Sequence, residues 1–291
     1  MSRLRRAFAS ASILGMVALL PAGTVAAPAV TPRFPDLQAL PPLFPYVDRV
    51  TIDGTQRYVL RFTAQIWNAG DGPLELRAET DPASGRTVAF QRIDLDDGAR
   101  TERLAGTFIY HPGHRHWHFE RFADYELWTE AEYQQWLASG RTVGEPRWRG
   151  SKTTGQGESF CVRDSEPIDD LPGSPDVGVY LACDRAVQGI SIGWSDTYGF
   201  YLPEQWVELG ETLPPAGRYV LRVVADPANL LFESEGGADP GRESPAANEG
   251  VTAFTFDGTQ TENVGEGDEP TGPPQDDLSG PRPVPVQVPT P

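Results

Sequence analysis

The sequence predicts an all-β protein, with a β-sandwich core, long loops and one short helix. Three observations carry that expectation. Short runs rich in β-branched and aromatic residues recur along the chain, separated by clusters of Gly, Pro, Asn and Asp. The 30 Gly and 28 Pro are spread too evenly for a collagen repeat and so mark many turns. Only one stretch carries the capping and apolar spacing of a helix. The length of 291 residues allows one large domain or two small ones, no internal repeat is evident, and 39% hydrophobic residues suffice for a core.

Residues 1–29 read as a secretory signal peptide. Arg3, Arg5 and Arg6 form a positive n-region, Ala11 to Leu20 an apolar h-region, and Val25-Ala26-Ala27-Pro28-Ala29 offers small-residue cleavage sites. The apolar run falls short of the ~20 residues a spanning helix needs, and no later segment reaches that length. The expected product is secreted or periplasmic, without a membrane span. Removing three arginines and no acid takes the formal charge from −17 to −20. Such a surface repels a phosphate backbone, which argues against nucleic acid as a partner. It either attracts cations, amines among them, or serves solubility alone.

Residues 30–256 form the expected folded domain. Prolines punctuate 28–46 and hold it extended. The run from Tyr58 to Trp67 is a strand ended by Asn68-Ala69-Gly70-Asp71-Gly72-Pro73. Further strands are expected at Leu74–Arg77, Thr87–Ile93, Thr107–Tyr110, Trp117–Leu127, Gly189–Trp194, Gln205–Leu209, Arg218–Asp226 and Val251–Phe256. Thr129-Glu130-Ala131-Glu132 fits a capping box, and Tyr133, Trp136 and Leu137 give the helix it opens a short apolar face, ending by Gly140. From Asp257 to Pro291 the apolar pattern gives way to Pro, Gly and acidic residues, the composition of a disordered tail.

All 4 histidines lie in His111-Pro112-Gly113-His114-Arg115-His116-Trp117-His118. On a strand, alternate residues share a face, so His114, His116 and His118 project together and make a metal site. A straight strand would separate the outer Cα atoms by ~13 Å, too far for both rings to reach one ion, so the segment must bend or bulge. All-imidazole ligation suits Zn, Cu, Fe or Ni, and three protein ligands leave a position open for water or substrate. Cys161 and Cys183, the only cysteines, are expected to pair in an oxidising compartment, closing a loop worth ~3 kcal/mol; two free thiols are the alternative.

The stretch from Tyr110 to Phe119 resembles the copper motif of the lysyl oxidase family, W-x-W-H-x-x-H-x-H-x-H. The resemblance assigns copper to His114, His116 and His118 and makes His111 a neighbouring non-ligand. Matches continue in order through Val59-Leu60-Arg61-Phe62, Asn68-Ala69-Gly70, Ser159-Phe160-Cys161-Val162-Arg163-Asp164, Ala182-Cys183, Gln188-Gly189-Ile190-Ser191, Asp196-Thr197-Tyr198-Gly199, Gln205-Trp206-Val207 and Gly217–Val223, covering about 34–256. It also implies a lysine tyrosylquinone. Tyr198 takes the place of its tyrosine, against the alternative of a plain core tyrosine. The family lysine position holds Gly157, with Glu158 beside it, and the chain's single lysine is Lys152 in a glycine-rich stretch. Either that stretch is an insertion that folds Lys152 back to Tyr198, or the lysine is lost and Lys152 is a surface residue.

The activity so implied is oxidation of a primary amine, protein lysine included, to an aldehyde, with O2 consumed and H2O2 and ammonia released. Asp196 is the candidate base, a turn-forming role being the alternative. Family cysteine positions support the Cys161–Cys183 pairing. The resemblance further suggests calcium at Asp36, Glu233, Glu235 and Asn248. Three functions are thus expected to compete: a secreted copper-quinone amine oxidase, a copper-binding protein without the quinone, and a structural module holding zinc.

Overall fold

The computed structural model describes residues 29–80, 86–150, 158–235, 239 and 247–259. The expected signal peptide before Ala29, Lys152 and the expected tail beyond Thr259 lie outside them. All named elements belong to a compact unit that begins at Thr31.

The proline-punctuated lead-in is extended, as expected: β1 (Pro32–Arg33), β2 (Leu37–Ala39) and β3 (Leu43–Ile52). A two-residue turn, with Asp53 and Gly54 both at positive φ, joins β3 to β4 (Thr55–Asn68). Then come β5 (Leu74–Thr80), β6 (Thr87–Leu95), β7 (Arg100–His111), β8 (His116–Glu120), β9 (Ala123–Thr129) and the one helix, α1 (Glu130–Ala138). The chain continues through β10 (Trp148–Arg149), β11 (Ser159–Phe160), β12 (Glu166–Pro167), β13 (Val187–Ile190), β14 (Trp194–Tyr198), β15 (Trp206–Gly210), β16 (Gly217–Ala225) and β17 (Glu249–Phe256).

These strands pair antiparallel in three sheets. The largest runs β11-β8-β7-β6-β5-β13 with β1 on β6; a second runs β10-β9-β16-β17; the third runs β12-β14-β4-β15 with β2 and β3 also on β4. One core draws from all three, including Phe119 and Leu76, Tyr125 and Leu221, and Phe62 and Ile66. β4 is buried on both faces over much of its length, which places the charged Arg61 inside. Burial of that charge is offset by Asp48 at 2.8 Å, by the carbonyls of Phe200 and Leu202 at 3.2 Å each, and by the Trp206 ring beneath the guanidinium. The helix has its capping box, with Thr129 accepting from Glu132 N and Glu132 reaching back, and it packs Tyr133 and Trp136 on Trp128 and Val220.

Two expected strands are each divided. Trp117–Leu127 breaks at Arg121, whose left-handed φ of 62° lets its N–H bond Glu158 O. β8 thereby stays in the seven-stranded sheet while β9 crosses to the four-stranded one. Gly189–Trp194 breaks at Gly193, at φ 76° and bonded to Asn68 O, so β13 ends at Ile190 and β14 starts a different sheet at Trp194. Both breaks move the chain between sheets, and both lie beside the histidines or Tyr198.

Candidate functional site

The histidine stretch is a hairpin, not a single strand. β7 and β8 pair in the register Phe108–Phe119, Ile109–His118, Tyr110–Trp117 and His111–His116. Pro112 to Arg115 form the turn, closed by Arg115 N–H to His111 O at 2.8 Å, with Arg115 at φ 62°. His114 therefore sits in the turn, and the bend that the strand geometry required is supplied by this reversal. Gly113 packs closely here: a Cβ on it would lie 3.2 Å from the His111 ring.

The four imidazoles are buried and converge. His118 Nε2 faces His116 Nε2 at 2.9 Å and His114 Nδ1 at 3.3 Å. Donors that share one ion at 2.0–2.1 Å stand roughly 3.3 Å apart in tetrahedral geometry, so His118 Nε2 stands near donor spacing from one nitrogen of His116 and one of His114. On its other side His118 Nδ1 meets Ser159 Oγ at 3.2 Å, and a proton on Nδ1 leaves the Nε2 lone pair facing inward. Ring nitrogens of His111, His114 and His118 also lie within 4.8 Å of one another among the described residues. His111, however, has both nitrogens engaged: Nδ1 accepts from His114 N–H at 3.3 Å, and Nε2 lies 3.1 Å from Glu204 Oε2.

Tyr198 ends β14, buried to 3% exposure, with its hydroxyl on Asp196 Oδ2 and Cys161 O. Asp196 and Tyr198 are two residues apart on one strand, so they share a face. Asp196 is consequently a buried strand residue and not a turn former. The segment Ser159-Phe160-Cys161 links this tyrosine to the histidines: Ser159 touches His118, the Phe160 ring packs edge-on against Tyr198 at 4.8 Å, and Cys161 O meets the phenol. The disulfide from Cys161 to Cys183 is formed, and Cys183 O accepts from Trp117 N–H in β8. It fastens the linking segment back onto the histidine hairpin.

A family profile described as lysyl oxidase matches residues 97–238, a span that holds the histidine hairpin, the disulfide and Tyr198. Residues 97–238 form a lysyl oxidase family domain. It is 28% identical over 180 residues to lysyl oxidase homolog 4 of Mus musculus, covering 62% of this chain and 17% of that protein. It is 30% identical over 129 residues to protein-lysine 6-oxidase of Homo sapiens, covering 43% of this chain and 25% of that one, and 31% identical over 129 residues to the Gallus gallus protein, covering 43% and 24%. The chain thus spans no more than about a quarter of the length of these curated relatives.

The remaining candidates of this lysyl oxidase domain divide into three cases. Lys152 lies outside the described residues, but the residues flanking its stretch lie together: a Cβ on Gly150 would overlap the Glu158 carboxylate. Glu233 and Asn248 meet at one seam against the backbone of Leu37, the residue after Asp36. Glu233, fully buried, accepts from Leu37 N–H at 2.5 Å and from Asn248 Nδ2 at 3.1 Å, while Asn248 Oδ1 and Asp36 Oδ1 are buried oxygens with no hydrogen-bond partner. Burial raises the Asp36 carboxyl above its ordinary range. Glu235 is exposed, so the seam does not gather it. Sequence reasoning missed Glu204, whose carboxylate holds His111; a lone Glu ahead of a strand has no periodic signature.

Proposed function

We propose that this chain is a copper-dependent amine oxidase that converts primary amines, protein lysine among them, to aldehydes with release of H2O2 and ammonia. The observation that carries the reading is the Ser159-Phe160-Cys161 segment, which touches His118 at one end and Tyr198 at the other. Copper would be held by His114, His116 and His118, with His118 Nε2 facing one ring nitrogen of each of the other two. Copper held there would supply redox chemistry with O2, and a quinone made from Tyr198 would supply the electrophilic carbonyl and electron sink for amine oxidation.

The chain's own groups support this chemistry. Asp196 accepts from the Tyr198 hydroxyl, which fixes the ring, and it is the carboxylate nearest that ring available to take a proton from carbon. Phe160, packed edge-on, shields the tyrosine from water. Gly150 and Glu158, the described residues on either side of the sequence that holds Lys152, lie against each other. We assign Lys152 as the crosslink partner on that ground. An excess of acid, Asp+Glu 41 against Lys+Arg 24, would concentrate a cationic substrate outside the cell or in the periplasm.

Incubating the copper-loaded protein with a panel of primary amines should yield H2O2 and aldehyde in equal amounts, and His116→Ala should abolish both. Gly157 at the family lysine position favours one competing reading, a copper protein without quinone. Full copper with no peroxide from any amine would select it.

The side-chain oxygens of Asp36, Glu233 and Asn248 we assign to calcium, which takes hard carboxylate and amide oxygens. Calcium at 100 times its Kd should add about 2.7 kcal/mol and raise Tm by about 5–10 °C. Asn248→Ala should remove the calcium-dependent part of that rise. An unchanged rise in that variant contradicts the assignment.

A further inference from the structure

Glu204 is a carboxylate that neither the metal donor set nor the Tyr198 cluster uses, yet it reaches the histidine hairpin from a different sheet. It lies in the loop between Tyr198 at the end of β14 and Trp206 at the start of β15. Its backbone is in the left-handed region, φ 58°, a conformation that costs a non-glycine residue energy and persists only where its surroundings impose it.

The surroundings do so here. Arg61, buried beneath the loop, donates to the carbonyls of Phe200 and Leu202. Gln205, fully buried, donates to Phe62 O and accepts from the Tyr125 hydroxyl. The loop is tied to the core on both sides of Glu204, and its carboxylate, 38% exposed, is delivered to His111 Nε2 at 3.1 Å and to within 4.0 Å of His114 Nε2. His111 in turn accepts the His114 N–H on Nδ1. The chain Glu204–His111–His114 N therefore has one self-consistent tautomer: the proton on His111 is on Nε2 and points at Glu204, and the lone pair on Nδ1 takes the His114 amide. Without a carboxylate at Glu204, the His111 Nε2–H loses its acceptor, only the His114 amide then selects that tautomer, and the turn Pro112–Arg115 loses an anchor.

We propose that Glu204 is a positioning residue for the metal centre, acting through His111 to fix the turn that presents His114. His114 is the one candidate ligand held by a turn; His116 and His118 are set by strand pairing. The loop carrying Glu204 begins at Tyr198, so this contact also couples the tyrosine's strand to the histidine hairpin. The inference rests on the copper reading of His114, His116 and His118.

The test uses the full-length protein loaded with Cu(II), with affinity measured by competition against a chelator, the coordination followed by electron paramagnetic resonance, and folding checked by near-ultraviolet circular dichroism. Glu204→Ala should weaken copper binding by about 10-fold and change the copper spectrum while the fold is kept. Glu204→Gln, whose amide oxygen still accepts from His111 Nε2–H, should stay within a few-fold of the parent and keep its spectrum. His111→Ala should match Glu204→Ala, and the double variant should lose no more than either single one. Parent-like affinity and spectrum in Glu204→Ala, or losses that add in the double variant, would overturn the proposal. Stoichiometric copper in the parent with an inert Glu204→Ala overturns only this role. A parent that binds no copper, or a His116→Ala variant that still binds it fully, overturns the copper reading and this role with it.

Discussion

Replacing His118 with alanine is expected to weaken copper binding by at least ~100-fold, more than the 10–100-fold that follows loss of a supporting residue. His118 is the hub of the donor set. Its Nε2 faces the other two ring nitrogens at 2.9 and 3.3 Å, its Nδ1 is oriented by Ser159, and its side chain is fully buried. Because removing a buried ring also leaves a cavity, His118→Gln serves as the companion variant: it keeps much of the volume and should lose copper to a similar degree with a native near-ultraviolet spectrum. The bound metal should give a Cu(II) paramagnetic signal in the parent. A site that takes only zinc, or a His118→Ala protein that keeps full copper, contradicts the assignment.

Tyr198→Phe should reduce amine-dependent peroxide by more than ~10³-fold, since a residue that becomes the covalent centre is not replaced by positioning alone. The substitution deletes one oxygen and keeps the ring against Phe160. It leaves the Asp196 carboxylate and Cys161 carbonyl without the phenol, at a cost of about 1–3 kcal/mol in stability. Copper binding should persist, because Tyr198 is outside the imidazole set. Activity that survives with copper unchanged would remove Tyr198 from the chemistry, whereas loss of copper along with activity would show that the tyrosine acts through the metal site.

Much of this was legible in local sequence pattern. The run Tyr58–Trp67 is the central β4, the capping box at Thr129 opens the only helix among the described residues, and Cys161 and Cys183 are paired. The spacing of the histidines implied convergence and also the need for a bend. What stayed hidden depends on contacts distant in sequence. The hairpin turn that holds His114 needs Arg115 at positive φ, a conformation that Arg does not advertise. The breaks at Arg121 and Gly193 reflect which sheet each half-strand joins, and apolar alternation continues across both. Asp196, between Ser195 and Thr197 and three residues before Gly199, has a turn-like composition, yet it lies buried in a strand paired with Ile66. Glu204 meets His111 across 93 residues, and no local pattern signals such a contact.

The claim that Tyr198 and the imidazole cluster form one oxidative centre is tested most directly by peptide mapping after aerobic copper loading. The account predicts that the Tyr198 peptide disappears at its unmodified mass and reappears covalently joined to the Lys152 peptide, at the mass of an oxidised crosslink, and that His118→Ala blocks this change. An unmodified Tyr198 peptide in protein carrying stoichiometric copper would contradict it.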